Sequence, residues 1–236
     1  MKKSHIATLI VFLVLIPLTL VLGSRLSGRA FYVTSTLVIV ELLIPFFLAF
    51  EGRRPQAREL VVLAVMCALA VAGRVAIPIP SFKAIFAVIM IAGMAFGPES
   101  GFLVGAISAL ASNFFYSQGP YTPWQMMAYG AGGMLAGFAF APNRLPRKPW
   151  VMGIFGFLAV AFFVGPLLDT CSVFLVMSKV SFKGAMAFYV SGFPVNLRQA
   201  IATGIVLLLL GKPFLEKLDR IQVKYGMLDT EGGKSA

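Results

Sequence analysis

The stretch that decides the fold class is Trp150-Val-Met-Gly-Ile-Phe-Gly-Phe-Leu-Ala-Val-Ala-Phe-Phe-Val-Gly-Pro-Leu-Leu-Asp169-Thr-Cys-Ser-Val-Phe-Leu-Val-Met177. It holds one acid and no base over more than the roughly 20 apolar residues that a helix needs to cross a bilayer. Apolar runs of the same character lie on both sides of it: Ile6 to Leu22, Phe31 to Phe50, Arg58 to Ile77, Lys83 to Phe96, Glu99 to Phe115, Trp124 to Ala141, and Ala187 to Gly211. The breaks between them are Glu51-Gly-Arg-Arg-Pro55, Pro78-Ile-Pro80, Gly97-Pro98, Gln118 to Pro123, Pro142 to Pro149, Lys179 to Gly184, and Lys212-Pro213, all rich in residues that end helices. The pattern predicts an all-α integral membrane protein of about eight transmembrane helices. The run from Lys83 to Phe96 is short for a span and can also be read as re-entrant.

Composition agrees. Of 236 residues, 59% are hydrophobic and 12% charged, against about 25% charged in a soluble domain. The formal charge of +11 would suggest nucleic acid in a soluble protein. Here the basic residues punctuate apolar runs, as orientation signals do, and no nucleic-acid partner is expected. Cys67 and Cys171 lie far apart inside apolar runs and read as small hydrophobes. His5 is the only histidine, so neither a multi-histidine metal site nor a cofactor is implied.

Three regions follow: a two-helix membrane extension over 1–57, a six-helix core over 58–212, and a polar tail over 213–236. The first run is too long for a signal-peptide core and Gly23-Ser24-Arg25 is a poor cleavage site, so it is expected to be retained. With the amino end placed inside, 13 Lys and Arg fall on the cytoplasmic side and 5 outside. That asymmetry predicts a multi-pass protein of the cell membrane with both termini cytoplasmic.

Arg74 and Arg198 lie inside runs, where a cation costs at least about 2.5 kcal/mol on insertion scales. Arg74, near a helix end, can snorkel; Arg198, near mid-helix, should face a partner or a water-filled cavity. Asp169 is a candidate partner for Arg198, either as a buried salt bridge or as a ligand-facing pair. Glu41 lies in the extension, where it neutralises a neighbour. The densest polar and aromatic stretch is Ser112-Asn-Phe-Phe-Tyr-Ser-Gln-Gly-Pro-Tyr-Thr-Pro-Trp-Gln125. Its aromatics read as headgroup anchors. Asn113, Gln118 and Gln125, set among glycine and prolines, point to a binding loop.

Small residues recur every fourth position at Gly93, Gly97, Gly101, Gly105 and Ala109, and again at Gly133 and Gly137, the signature of close helix packing. A second row, Ala64, Ala68 and Ala72, either packs internally or offers a flat patch to another membrane protein. No phosphate-cradling GxxxxGK[ST], no G-x-S-x-G and no HExxH occurs, so uphill movement would draw on a partner or an ion gradient.

Arg58 to Arg74, Phe82-Lys83, Ala92-Gly-Met-Ala-Phe-Gly-Pro-Glu-Ser-Gly-Phe-Leu-Val-Gly-Ala106, Ser112-Asn-Phe-Phe115 and Gly119-Pro-Tyr-Thr-Pro-Trp-Gln125, taken in order, resemble the substrate-binding S component of energy-coupling factor (ECF) transporters. Within that family the likeness is to cobalamin-type members. The resemblance covers the six segments from about Arg58 to Gly211 and leaves the first two as an addition. It implies a membrane-embedded subunit that captures a vitamin from outside and docks on a transmembrane coupling subunit driven by two cytoplasmic ATPases. The family's Ala-x-x-x-Ala docking face maps onto Ala64 and Ala68. Its site, between outer loops and outer helix halves, maps onto Arg74, Lys83, Gln118, Trp124, Gln125, Asp169 and Arg198. The alternatives are a stand-alone ion-coupled secondary carrier with Asp169 titrating, and a membrane enzyme using Asp169 or Glu99; the latter is disfavoured because no nucleophile and base can be paired.

Overall fold

The computed structural model describes residues 14–15, 18–19, 30–52, 56–77, 79–177 and 181–225. Most of the first expected run, Ile6 to Leu22, and the tail from 226 onward lie outside the described residues. Among the described residues the chain forms seven helices and no strand: α1 (Ala30–Gly52), α2 (Ala57–Val75), α3 (Ile85–Phe96), α4 (Pro98–Tyr116), α5 (Thr122–Ala139), α6 (Pro149–Val176) and α7 (Phe182–Lys224). All six core runs appear as helices. Two of the helices, α6 and α7, are long and apolar enough to cross a membrane.

Local chemistry sets the boundaries. Glu59 in the first turn and Arg74 in the last turn of α2 complement its dipole. Pro98 and Pro149 open α4 and α6 at a position where a missing N–H costs nothing. Gly97 joins α3 to α4 at φ 91°, in the left-handed region that favours glycine.

The short run forms a buried helix. At 12 residues, α3 is about 18 Å long, and Ile85, Phe86, Ile89, Met90 and Ile91 are almost fully buried. It is the central helix, packed against α2, α4, α5, α6 and α7. Two of its last carbonyls, which an isolated helix leaves unpaired, are capped from other elements. Arg147 Nη2 donates to Met94 O (2.6 Å), and Gln222 Nε2 to Ala95 O (2.8 Å).

Two expected boundaries of the last core run are corrected. Ser181, inside the segment read as a break, caps α7 by accepting from Gly184 N at 3.2 Å, so the helix starts at Phe182 instead of Ala187. Lys212-Pro213 does not end it either: a π-turn at Leu207–Gly211 precedes the proline, and the helix continues to Lys224. The same device lies in α6, where the π-turn Val160–Val164 precedes Pro166. A proline withholds one donor and crowds the carbonyl four residues back; the wider π-turn relieves both. At 43 residues α7 is about 64 Å long, more than the roughly 45 Å of a whole bilayer. Its last part, Lys212–Lys224, is amphipathic and buries Leu215, Leu218 and Gln222.

Candidate substrate-binding site

At one end of the bundle the chain turns between α2 and α3, between α4 and α5, and between α6 and α7, and here the polar residues of the spans converge. Arg74 Nη1, on α2, donates to Ser112 Oγ and to Asn113 Oδ1 (3.0 Å) on α4. Its guanidinium lies over two rings, 4.9 Å from the centre of Tyr116 and 5.6 Å from that of Tyr129. Asn113, fully buried, spends its amide on α5: Nδ2 donates to Gln125 Oε1 (2.8 Å) and to Thr122 Oγ1 (3.2 Å). Thr122 Oγ1 in turn donates to Gln118 Oε1 at 2.9 Å and accepts from Gly119 N. Gln118 Nε2 donates to Leu110 O, and Tyr121 OH to Ser117 O. Ser117 is held at φ 78°, a conformation a non-glycine residue keeps only when its surroundings fix it.

Arg74, Asn113, Gln118 and Gln125 thus belong to one connected network, in which the amides bond to one another and to neighbouring side chains. Arg74 is a brace between helices, with its head enclosed by tyrosines. Ser112 and Tyr129, which complete it, were not picked out beforehand; a hydroxyl and a phenol at the same depth as an in-span arginine are the signal. Lys83 Nζ donates to Ile77 O and closes the turn between α2 and α3.

Trp124 sits beside this network. Its ring stacks on Phe174 of α6, centres 5.5 Å apart, within a small apolar cluster that includes Ile39 of α1 and Cys171 of α6. The ring is buried, yet among the described residues its Nε1–H has no partner, an exception among buried donors. The additional helix α1 therefore lines the same end as the core loops.

Asp169 and Arg198 do not pair. Asp169 Oδ2 accepts from Asn196 Nδ2 at 2.7 Å, and its carboxylate lies so close to Gly192 that a Cβ there would meet Oδ1 at 2.1 Å. Asn196 and Arg198 are two residues apart, about 200° around the helix, so Arg198 points the other way. It is exposed, and its Nε donates to Pro194 O at 3.2 Å. Asn196 was missed, although an amide inside a span is itself a signal. Ala64, Ala68 and Ala72 lie on the exposed side of α2, alongside Val61, Val65 and Leu69.

The family model described as ECF-type riboflavin transporter, S component, matches residues 55–215. That span contains α2 to α6 and the membrane-length part of α7. The chain belongs to this S-component family. The S component is the substrate-binding membrane subunit of a transporter, not an enzyme, and it works with ECF membrane and ATPase components on a small-molecule substrate. No curated protein and no solved structure matched the chain. The family match lends no support to the cobalamin-type likeness or to a stand-alone carrier.

Proposed function

We propose that this S component captures a vitamin or related micronutrient at the end of the bundle that carries Arg74, and that this end faces outside. The basic-residue asymmetry supports that orientation, with both termini in the cytoplasm and several passes through the cell membrane. The observation that carries the reading is Trp124: a ring stacked on Phe174 with its N–H buried and unpartnered, beside a rigid amide network. Such a pairing of aromatic surface and convergent polar groups suits a flat, hydrogen-bonding ligand. In this reading Trp124, Gln125 and Asp169 face the ligand. Arg74, Asn113 and Gln118 hold the frame, and Lys83 fixes the neighbouring turn. The exposed Ala64 and Ala68 form the docking face for the coupling subunit, because small residues let a partner helix approach closely. The chain has no nucleotide-binding motif of its own, so the two cytoplasmic ATPases drive uptake.

Riboflavin, named in the family's description, is the first ligand to test, and cobalamin, suggested by the sequence likeness, the second. Titrating purified chain with riboflavin should quench flavin fluorescence saturably to an equimolar complex. A parallel titration with cobalamin, read by absorbance, decides between them; saturable binding of neither rejects the vitamin reading. Ala68→Leu should leave that titration unchanged and reduce co-purification of the coupling subunit.

A further inference from the structure

Arg198 stands on a side of α7 that the described residues leave open. It is exposed within an exposed apolar stripe that includes Val195, Ile201 and Ile205. It lies 16 residues after Phe182, about 24 Å along the axis. With α7 starting at headgroup level, that is near the middle of a hydrocarbon layer about 30 Å thick within about 45 Å of bilayer. A cation at such a depth needs a counter-charge or water, and among the described residues Arg198 has one hydrogen bond, from Nε to the carbonyl of Pro194 in its own helix.

Among the described residues no acid pairs with Arg198. The chain has nine acids. Asp169 is on the other side of α7, bonded to Asn196. Glu41 is on α1, which packs against α4, α5 and α6, and its Oε1 accepts from Thr19 Oγ1 at 2.5 Å. Glu59 and Glu99 lie in the first turns of α2 and α4, at the end away from Arg74, and Glu51 is in the last turn of α1 at that same end. Glu216 pairs with Lys212 (3.9 Å) and Asp219 with Arg147 (3.3 Å). Outside the described residues the only acids are Asp229 and Glu231, beyond the far end of α7; residues 1–29 contain none.

We infer that Arg198 is a docking charge, paired in the assembled transporter with a carboxylate that a helix of the ECF membrane component carries at mid-membrane depth. The inference rests on the chain's assembly with that component. It adds a specific charge on α7 to the small-residue face on α2, so that the partner would be read at two helices: by shape at Ala64 and Ala68, by charge at Arg198. A carboxylate left alone in the hydrocarbon layer would oppose assembly with any chain that lacks the arginine, which makes the contact a selectivity element as well.

The test co-expresses the full chain with its coupling subunit and both ATPases and measures how much coupling subunit co-purifies with the tagged chain. Arg198→Leu should reduce that amount at least about tenfold, because it strands the partner's acid, whereas Arg198→Lys should stay within about threefold of the parent, because it keeps the charge. The thermal midpoint of isolated Arg198→Leu should match or exceed the parent's. A second-site change of a mid-helix acid in the coupling subunit to Leu should restore assembly with Arg198→Leu. Parental co-purification by Arg198→Leu overturns the inference, as does a lowered midpoint of the isolated variant, which would place the arginine's partner within the chain. A parent that co-purifies no coupling subunit would instead refute the partner reading on which the inference rests.

Discussion

The helices of the first half of the core, α3 to α5, meet backbone to backbone, while α6 and α7 meet mainly through side chains. A Cβ on Gly93 would lie 2.1 Å from Gly133 O; on Gly133, 2.2 Å from Gly101 O; on Gly105, 2.4 Å from Tyr129 O. Between α6 and α7 the tightest approaches are to movable groups: an added Cβ would lie 2.1 Å from Asp169 Oδ1 at Gly192, 2.3 Å from Leu207 Cδ1 at Gly156, and 2.5 Å from the Asn196 side chain at Gly165. Gly153 and Gly204 face each other's backbone less closely, an added Cβ on either lying 3.1 Å from the other's carbonyl oxygen. The first half also carries the saturated polar network, whereas the second holds both π-turns. In a membrane, where apolar burial gives helices no reason to prefer each other over lipid, close packing and hydrogen bonds hold them together. By that measure α3 to α5 is the fixed frame, and α6 and α7 are the part with room to adjust.

The largest effect should come from breaking the frame. Gly133→Ala has nowhere to put its methyl, since the nearest atoms are the carbonyl of Gly101 and Ile89 Cγ2 at 2.8 Å. It should destabilise the fold by about 3 kcal/mol or more, the upper range for overpacking. Gly153→Ala, in the looser half, should cost under about 1 kcal/mol, because a shift of a few tenths of an ångström accommodates it. The thermal midpoints of the two purified variants give the comparison directly. Equal losses would mean that both halves are equally rigid.

A smaller effect separates the halves by their polar groups. Asn113→Ala removes one of the two acceptors of Arg74 and the donor to Gln125 and Thr122 in a fully buried position, so it should cost about 2 kcal/mol through the groups left unpaired. Asp169→Asn keeps the shape and loses one charge-assisted bond from Asn196; in the looser half the two amides can re-pair, and the cost should stay below about 1 kcal/mol. A drop in midpoint for Asp169→Asn as large as that for Asn113→Ala would remove the distinction.

How far the sequence could be read follows the same division. The six core helices were legible because proline, glycine and charge interrupt long apolar runs. The close meeting of α3, α4 and α5 was visible in the four-residue spacing of Gly93, Gly97, Gly101 and Gly105. The network around Asn113 was visible as polar residues gathered in one short stretch. What stayed hidden is which way residues of α6 and α7 point. Those helices are apolar nearly all round, so no polar stripe marks an azimuth, and Asp169 was matched to Arg198 by depth when only its neighbour Asn196 faces it. Pro213 misled for a related reason: a π-turn in the four leucines before it leaves no compositional mark.

The smallest predicted effect bears most closely on function, because it lies where the rigid and adjustable halves touch. Trp124 belongs to α5 and stacks on Phe174 of α6. Trp124→Phe keeps an aromatic ring for that stack, though a smaller one, and removes the Nε1–H, which has no partner among the described residues. If the indole serves packing alone, the variant loses little stability and nothing else. If its N–H is held for a ligand, stability is again little changed, but affinity for that ligand falls by the value of one hydrogen bond, about 0.5 to 1.5 kcal/mol, or roughly twofold to twelvefold in Kd. Measuring midpoint and Kd on the same preparation distinguishes the cases. Loss of affinity with a parental midpoint assigns the donor to the ligand. Parental affinity leaves Trp124 as the joint between the two halves, and a fall in both would show that the ring's size, not its N–H, sets the spacing of α5 and α6.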